Sequence, residues 1–318
     1  TQALAIAREI GDRNGEGRHL GNLGSAYRSL GQYAKAVEYH TQALAISRDI
    51  GDRGGEGTRL GYLGIAYAAL GKYAKAVEHH TQALAIAREN EDRPGEGRHL
   101  GNLGSTYVLL EQYSKAVEYL TQALAIAREI GDRKNEGTIL GNLGNAYGRL
   151  GQPKKGIERY EEALAITREI GDRQKEALFL GNVGLTHGDL DAAAALPWLE
   201  QSAAAWDAVW ADLATDRQRL TFGDRKAPVN AGRALQRAHA ALGDPAAALV
   251  CAERARSRAF ELLLAQQRAA GRGAAAGGAA VVEEGGGNGG GGGCEHKVKD
   301  AATAAAAALD WPALQAAA

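Results

Sequence analysis

Apolar residues along roughly the first 190 positions recur at the steps of three and four that one face of an α-helix requires. From Glu56 to Leu70 the stripe runs through Leu60, Leu63, Ala66, Tyr67 and Leu70. After Gly71 a second stripe runs through Tyr73, Ala76, Val77, Ala83, Leu84 and Ile86 and ends near Asn90. Gly71 and Gly51 stand where a helix must end and the chain turn sharply, a task suited to glycine because it tolerates positive φ. Asp52 is placed to cap the next helix or to serve as its first-turn acid. The predicted unit is therefore a hairpin of two antiparallel helices, and the class is all-α.

The unit recurs every 40 residues. GNLG begins at Gly21, Gly101 and Gly141, with GYLG at Gly61 and GNVG at Gly181. TQALAI begins at Thr1, Thr41, Thr81 and Thr121 and becomes EEALAI at Glu161. GDR begins at Gly11, Gly51, Gly131 and Gly171 and becomes EDR at Glu91. Three phrases in one register mark an array whose hairpins bury their apolar faces only by stacking. Gly64 and Ala83 are expected where the two helices of a hairpin approach most closely, and a larger side chain there costs about 1–3 kcal/mol through overpacking. Tyr67 and its copies Tyr27, Tyr107 and Tyr147 are expected to fill the space between consecutive hairpins.

The set Leu63, Gly64, Tyr67, Ala76 and Ala83, with Leu23, Gly24, Tyr27, Ala36 and Ala43 one period earlier, resembles the tetratricopeptide repeat (TPR) signature. The resemblance implies a right-handed TPR-type superhelical solenoid of antiparallel helix hairpins. The 40-residue spacing and the QALAIAREIGDR link resemble the repeats of G-protein-signalling modulators. In such a solenoid the first helix of each pair lines the concave face. The groove-facing positions lie six and two residues before the second Gly of GNLG and one and four after it. Here they are Arg18, Asn22, Ser25 and Arg28; Thr58, Tyr62, Ile65 and Ala68; Arg98, Asn102, Ser105 and Val108; and Thr138, Asn142, Asn145 and Gly148.

A row of Asn amides offers donors and acceptors to an extended peptide backbone. Arg18 and Arg98 can fork onto carboxylates, and Tyr62 with Ile65 supplies an apolar pocket. The expected partner is a protein or peptide segment, extended or partly helical, that carries acidic residues. Two plainer readings stand beside this one: Asn22, Asn102, Asn142 and Asn182 serve only to bridge neighbouring repeats, and Arg18 and Arg98 are solvated surface residues. The sequence departs from the carboxylate clamp of chaperone-binding TPR proteins, having Gly21 in place of a Lys, so chaperone docking is not expected.

Composition narrows the picture further. Formal net charge is -1, from 37 basic and 38 acidic residues, so no global basic field points to nucleic acid. No apolar run reaches the roughly 20 residues of a membrane span. Cys251 and Cys294 match no metal or redox spacing, which favours a reducing, cytoplasmic setting. No cofactor is implied. The eight histidines are expected on the repeat surface, and His79 and His80, being adjacent, point to different sides of their helix. Cys294–Glu295–His296 adjoins a polyglycine run with nothing rigid to hold it, so catalysis is not expected there. The Gly-rich segment lacks the order of a phosphate loop.

Domain boundaries follow from where the phrases fade. Residues 1–213 are read as the solenoid, opening in mid-pattern at Thr1 as a fragment would. Residues 214–268 are read as a divergent hairpin, 269–299 as a flexible Gly-rich linker, and 300–318 as a short Ala-rich helix or disordered tail. The segment AERARSRAFELLLAQ from Ala252 resembles the last hairpin before the caspase-like domain of TPR–CHAT proteins. The leading expectation is a non-catalytic scaffold or adaptor. The alternatives are the regulatory repeats of a TPR–CHAT protein lacking its peptidase, and an eroded repeat array without a specific ligand. Oligomeric state is not indicated.

Overall fold

The computed structural model describes residues 2–188, 191–213, 226–255 and 257. It contains helices α1 (Gln2–Glu9), α2 (Arg13–Ser29), α3 (Tyr33–Asp49), α4 (Arg53–Ala69), α5 (Tyr73–Glu89), α6 (Arg93–Leu109), α7 (Tyr113–Glu129), α8 (Arg133–Arg149), α9 (Pro153–Glu169), α10 (Arg173–Gly188), α11 (Ala192–Ala211) and α12 (Lys226–Ala241). A further helical run covers 245–255. The described residues contain no sheet. The Gly-rich run, the 300–318 tail, Cys294–Glu295–His296 and most of the segment resembling the TPR–CHAT hairpin lie outside them.

The chain divides into two compact units, Thr1–Gly171 and Asp172–Ala318. In the first, α2/α3, α4/α5, α6/α7 and α8/α9 form four hairpins, and each second (B) helix packs on the first (A) helix of the next pair. This is the superhelical solenoid of helix hairpins that the repeat signature implies. A helices of successive hairpins also touch, α2 with α4, α4 with α6 and α6 with α8, and successive B helices do not to the same extent. The A side is accordingly the inner side of the curve.

Each repeat is terminated by the same local chemistry. Asp12, Asp52, Asp92 and Asp132 are N-caps whose carboxylates accept from the backbone N–H of Gly15, Gly55, Gly95 and Asn135, meeting one of the orphan donors of each helix start. Gly51 and Gly71 adopt φ 72°, as the turns require. Where the array substitutes Glu91 and Glu111, the backbone keeps the left-handed turn at φ 54° and 59°.

Gly64 is buried under His80, and a Cβ on it would lie 2.6 Å from the imidazole. Its copies meet His40, Leu120 and Tyr160 in the same way. Tyr67 stacks on His79 of its own hairpin, with centroids 5.2 Å apart, and also joins a cluster containing Leu44 and Val37 of the preceding B helix. It therefore fills space within a hairpin as well as between hairpins.

The repeated RE(I)GDR link builds an ion ladder. Glu56 receives Arg48 at 2.8 Å and Arg53 at 2.6 Å, and Arg53 reaches on to Glu89 of the next turn. The pattern recurs about Glu16, Glu96 and Glu136. One carboxylate thus ties the end of a B helix to the start of the next A helix, with the same geometry at each step.

In the second unit α10 and α11 form a hairpin and α12 packs on α11. Two apolar clusters hold it, one around Trp206 and Val209, the other around Leu199 and Leu235. Ser202, fully buried, donates to the Ala177 carbonyl at 2.8 Å.

Candidate functional site: the A-helix face

The groove positions expected from the repeat all fall on A helices. Arg18, Asn22, Thr58, Arg98 and Asn145 are exposed, and Ser25, Arg28, Tyr62, Ile65, Asn102, Ser105, Thr138 and Asn142 are half-buried. Five of them, Arg98, Asn102, Ser105, Thr138 and Asn142, line one pocket of about 100 Å³ between α6, α7 and α8, with Ile126, Ile130 and Ile139 as its apolar wall. Asp132, at its edge, already accepts from the backbone N–H of Asn135 at 3.0 Å and from its amide at 2.6 Å.

Hydrogen bonds divide these residues into those held by the fold and those free for a ligand. Asn142 Nδ2 donates to Ser105 Oγ at 3.0 Å, so at this step the Asn does bridge neighbouring repeats. Thr58, Ser105 and Thr138 donate their hydroxyls to the carbonyl four residues back. That local bond leaves the Thr58 oxygen mainly as an acceptor, while the Ser105 oxygen already accepts from Asn142.

The charged side chains of the A helices divide into paired and unpaired groups. The acids of α2, α4, α6 and α8 are Glu16, Glu56, Glu96 and Glu136, and each is held by two arginines of the ladder. Among the described residues, Arg18, Arg28, Arg59 and Arg98 have no carboxylate within the 4.0 Å at which the ladder arginines are paired. Arg59 was not among the groove positions read from the sequence. The signal for it is the position five residues before the second Gly of GNLG, which changes from repeat to repeat as His19, Arg59, His99 and Ile139. That side chain lies against the first Gly of the preceding repeat: a Cβ on Gly21 would lie 2.1 Å from Arg59 Nη1, and one on Gly61 would lie 2.7 Å from His99 Cε1.

The expectation of surface histidines is corrected here. His40, His80 and His99 are 0%, 1% and 3% exposed, because the first two fill the space above Gly24 and Gly64 and the third sits on Gly61. Burial lowers His40 to about 4, with Arg59 and Arg28 adding to the effect. Burial lowers His80 to about 3, aided by His99 and His79, and His99 to about 4, aided by Arg98. Burial likewise lowers the Arg59 guanidinium from its ordinary value. His79 stacks on Tyr67 while His80 packs on Gly64, so both rings of this adjacent pair lie against α4 and not on different sides of their helix. Among the described residues no three His, Cys, Asp or Glu side chains gather to hold a metal, and no helix is long and apolar enough to cross a membrane.

Residues 1–49, 58–129 and 135–208 match the tetratricopeptide repeat family model. No curated protein sequence matches the chain. Among solved structures, the nearly identical TPR-like repeats of a Podosopora anserina protein are 23% identical, covering 61% of this chain and 96% of that one at TM-score 0.53. A signal transduction ATPase with a tetratricopeptide repeat sensor from Pyrococcus horikoshii is 18% identical, covering 81% of this chain and 37% of that one at TM-score 0.65. A Rap protein in complex with competence and sporulation factor is 18% identical, covering 80% and 76% at TM-score 0.53. At these identities the likeness is one of fold.

Proposed function

Because the chain belongs to the tetratricopeptide repeat family, whose members serve as protein- and peptide-binding scaffolds, we propose that its first unit binds an extended or partly helical segment carrying acidic residues along the A-helix face. The chain acts as a scaffold or adaptor and not as a catalyst. The observation that carries this reading is the charge arrangement: the acids of the A helices are each neutralised by two arginines, and Arg18, Arg28, Arg59 and Arg98 are left without a carboxylate. The pocket between α6 and α8 supports it, since Arg98 and the free amide of Asn102 border an apolar wall of Ile126 and Ile130. Such a site suits a partner side chain with an apolar stem and an acidic end.

The test is direct. A partner recovered by pull-down and identified by mass spectrometry should bind the Arg98→Ala/Asn102→Ala double variant at least tenfold more weakly, with helicity and melting unchanged. A genuine partner whose affinity ignored both substitutions would remove the groove reading.

A further inference from the structure

The junction of the first two hairpins holds cationic side chains that the fold leaves unpaired. Arg59 of α4 lies in the crevice that Gly21 of α2 leaves open. Arg28 of α2 sits over the Tyr62 ring of α4, with Cζ 6.0 Å from its centroid. His40 of α3 stacks on the same ring at 5.0 Å. The Nε atoms of both arginines and both ring nitrogens of His40 are buried without a hydrogen-bond partner.

Buried donors left unmet are rare in folded proteins and call for an explanation. Solenoid packing does not supply one. At the junction of the third and fourth hairpins the same positions carry Leu120 and Ile139, the latter in ordinary contact with Gly101 at 3.9 Å, and the polar pair there, Asn142 and Ser105, is bonded to itself. The same backbone arrangement therefore also accepts apolar residues at these two positions. Among the described junctions of the first unit, only this step sets two arginines in these layers, while the second carries His80 and His99, each with a buried Nδ1 that lacks a partner.

We propose that Arg28, over the Tyr62 ring, and Arg59, in the crevice at Gly21 of the same junction, form a site for one oxyanion, a carboxylate or a phosphoryl group on a side chain of the bound peptide. The proposal rests on the A face being a peptide groove and adds the place where the peptide's charge is anchored. Arg28, Arg59 and Tyr62 are half-buried, so charge at this site is screened less than in a surface pair. Guanidinium forks match the paired oxygens of either group. His40, fully buried, positions the Tyr62 ring and does not itself touch the ligand.

Calorimetric titration of the full chain distinguishes the sources of the oxyanion with three probes: a Glu-rich peptide, the same peptide with phosphoserine at one Glu, and inorganic phosphate. The peptide with Gln at every Glu is the control. At least one oxyanion probe should bind more tightly than the control. Arg59→Gln should weaken that binding at least tenfold and Arg59→Lys less, because the charge survives and the fork does not. Melting should be unchanged or raised by Arg59→Gln, which removes an unpaired, half-buried cation. If peptide binding falls with the Arg98→Ala/Asn102→Ala variant but ignores Arg28→Gln and Arg59→Gln, this site is overturned and the groove reading stands. If no oxyanion probe binds above the Gln control, the site is overturned too.

Discussion

Replacing His80 with Leu should stabilise the protein, more at pH 4.5 than at pH 7. His80 is 1% exposed and packs on Gly64, and its Nδ1 is buried without a partner. One repeat later Leu120 occupies the same seat on Gly104, so the leucine shape is already accommodated at this position. Removing an unmet buried nitrogen should return about 1–3 kcal/mol at pH 7, where the imidazole is neutral in both folded and unfolded chains. The acid dependence has a definite sign. Burial, with His99 and His79, holds His80 at about 3 in the folded state against 6.5 as the reference. Between those values the unfolded chain binds the proton and the folded chain does not, so stability falls as pH falls, by about 1.4 kcal/mol per unit. At pH 4.5 the wild type has lost about 2.7 kcal/mol at this residue, a loss the leucine variant does not share. Because hairpins of an array can open separately, urea unfolding at both pH values should be paired with hydrogen exchange of α4 and α5 amides. A variant no more stable at pH 7, or one whose pH dependence parallels the wild type, would refute the reasoning.

Glu91→Gly and Glu111→Gly should each raise stability by about 1 kcal/mol in urea titrations, since both residues hold a left-handed backbone that costs non-glycine residues about 1–2 kcal/mol and glycine in the folded state little. Glu96→Gln should cost about 1–2 kcal/mol at pH 7, as it leaves Arg88 and Arg93 without their shared carboxylate. The hydrogen bond from Arg88, then that from Arg93, lowers the Glu96 carboxyl below its ordinary value. Its contribution is therefore present above the ordinary carboxylate range and disappears as pH falls through the lowered one, so melting curves of the two proteins should converge in acid. Gly148→Ala should stabilise by about 0.5–1 kcal/mol through helix propensity, because a Cβ there meets nothing within 4 Å. Gly64→Leu should instead disrupt its hairpin, because even a Cβ there would lie 2.6 Å from His80; an unchanged melting curve would contradict that assignment.

Much of the architecture was legible because each repeat solves the same problem with the same residues. The helix ends at Gly51 and Gly71, the cap at Asp52 and the close approach at Gly64 all follow from rules that act within one hairpin. The ion ladder was equally visible in principle, since Arg48, Arg53 and Glu56 recur every 40 residues, but its meaning depends on contacts between B and A helices that spacing alone does not show. The buried histidines were misread for a related reason. A polar residue in a helical stripe reads as solvent-facing until the glycine opposite it is known to leave it a seat, and that glycine lies 16 residues earlier on another helix: Gly24 for His40 and Gly64 for His80.

A near-identical array separates two kinds of position. Asp52, Gly64, Arg48 and Glu56 keep their chemistry from repeat to repeat, and each has a complete account within the solenoid: a cap, a contact or an ion pair. The positions that vary do not. The site five residues before Gly24 and its copies carries His19, Arg59, His99 and Ile139, and the seat opposite those glycines carries His40, His80, Leu120 and Tyr160. From the first junction to the third these layers pass from cationic and unpaired to apolar. A stability requirement common to all hairpins would make the layers alike, and the apolar one shows that this backbone accepts the alternative. Arg28, Arg59 and His40 bring buried unmet polar atoms that the third junction does not have, which is the ground for the proposal that they serve binding. Specificity in this chain is accordingly to be sought where the repeat breaks, along the A helices of the first three hairpins.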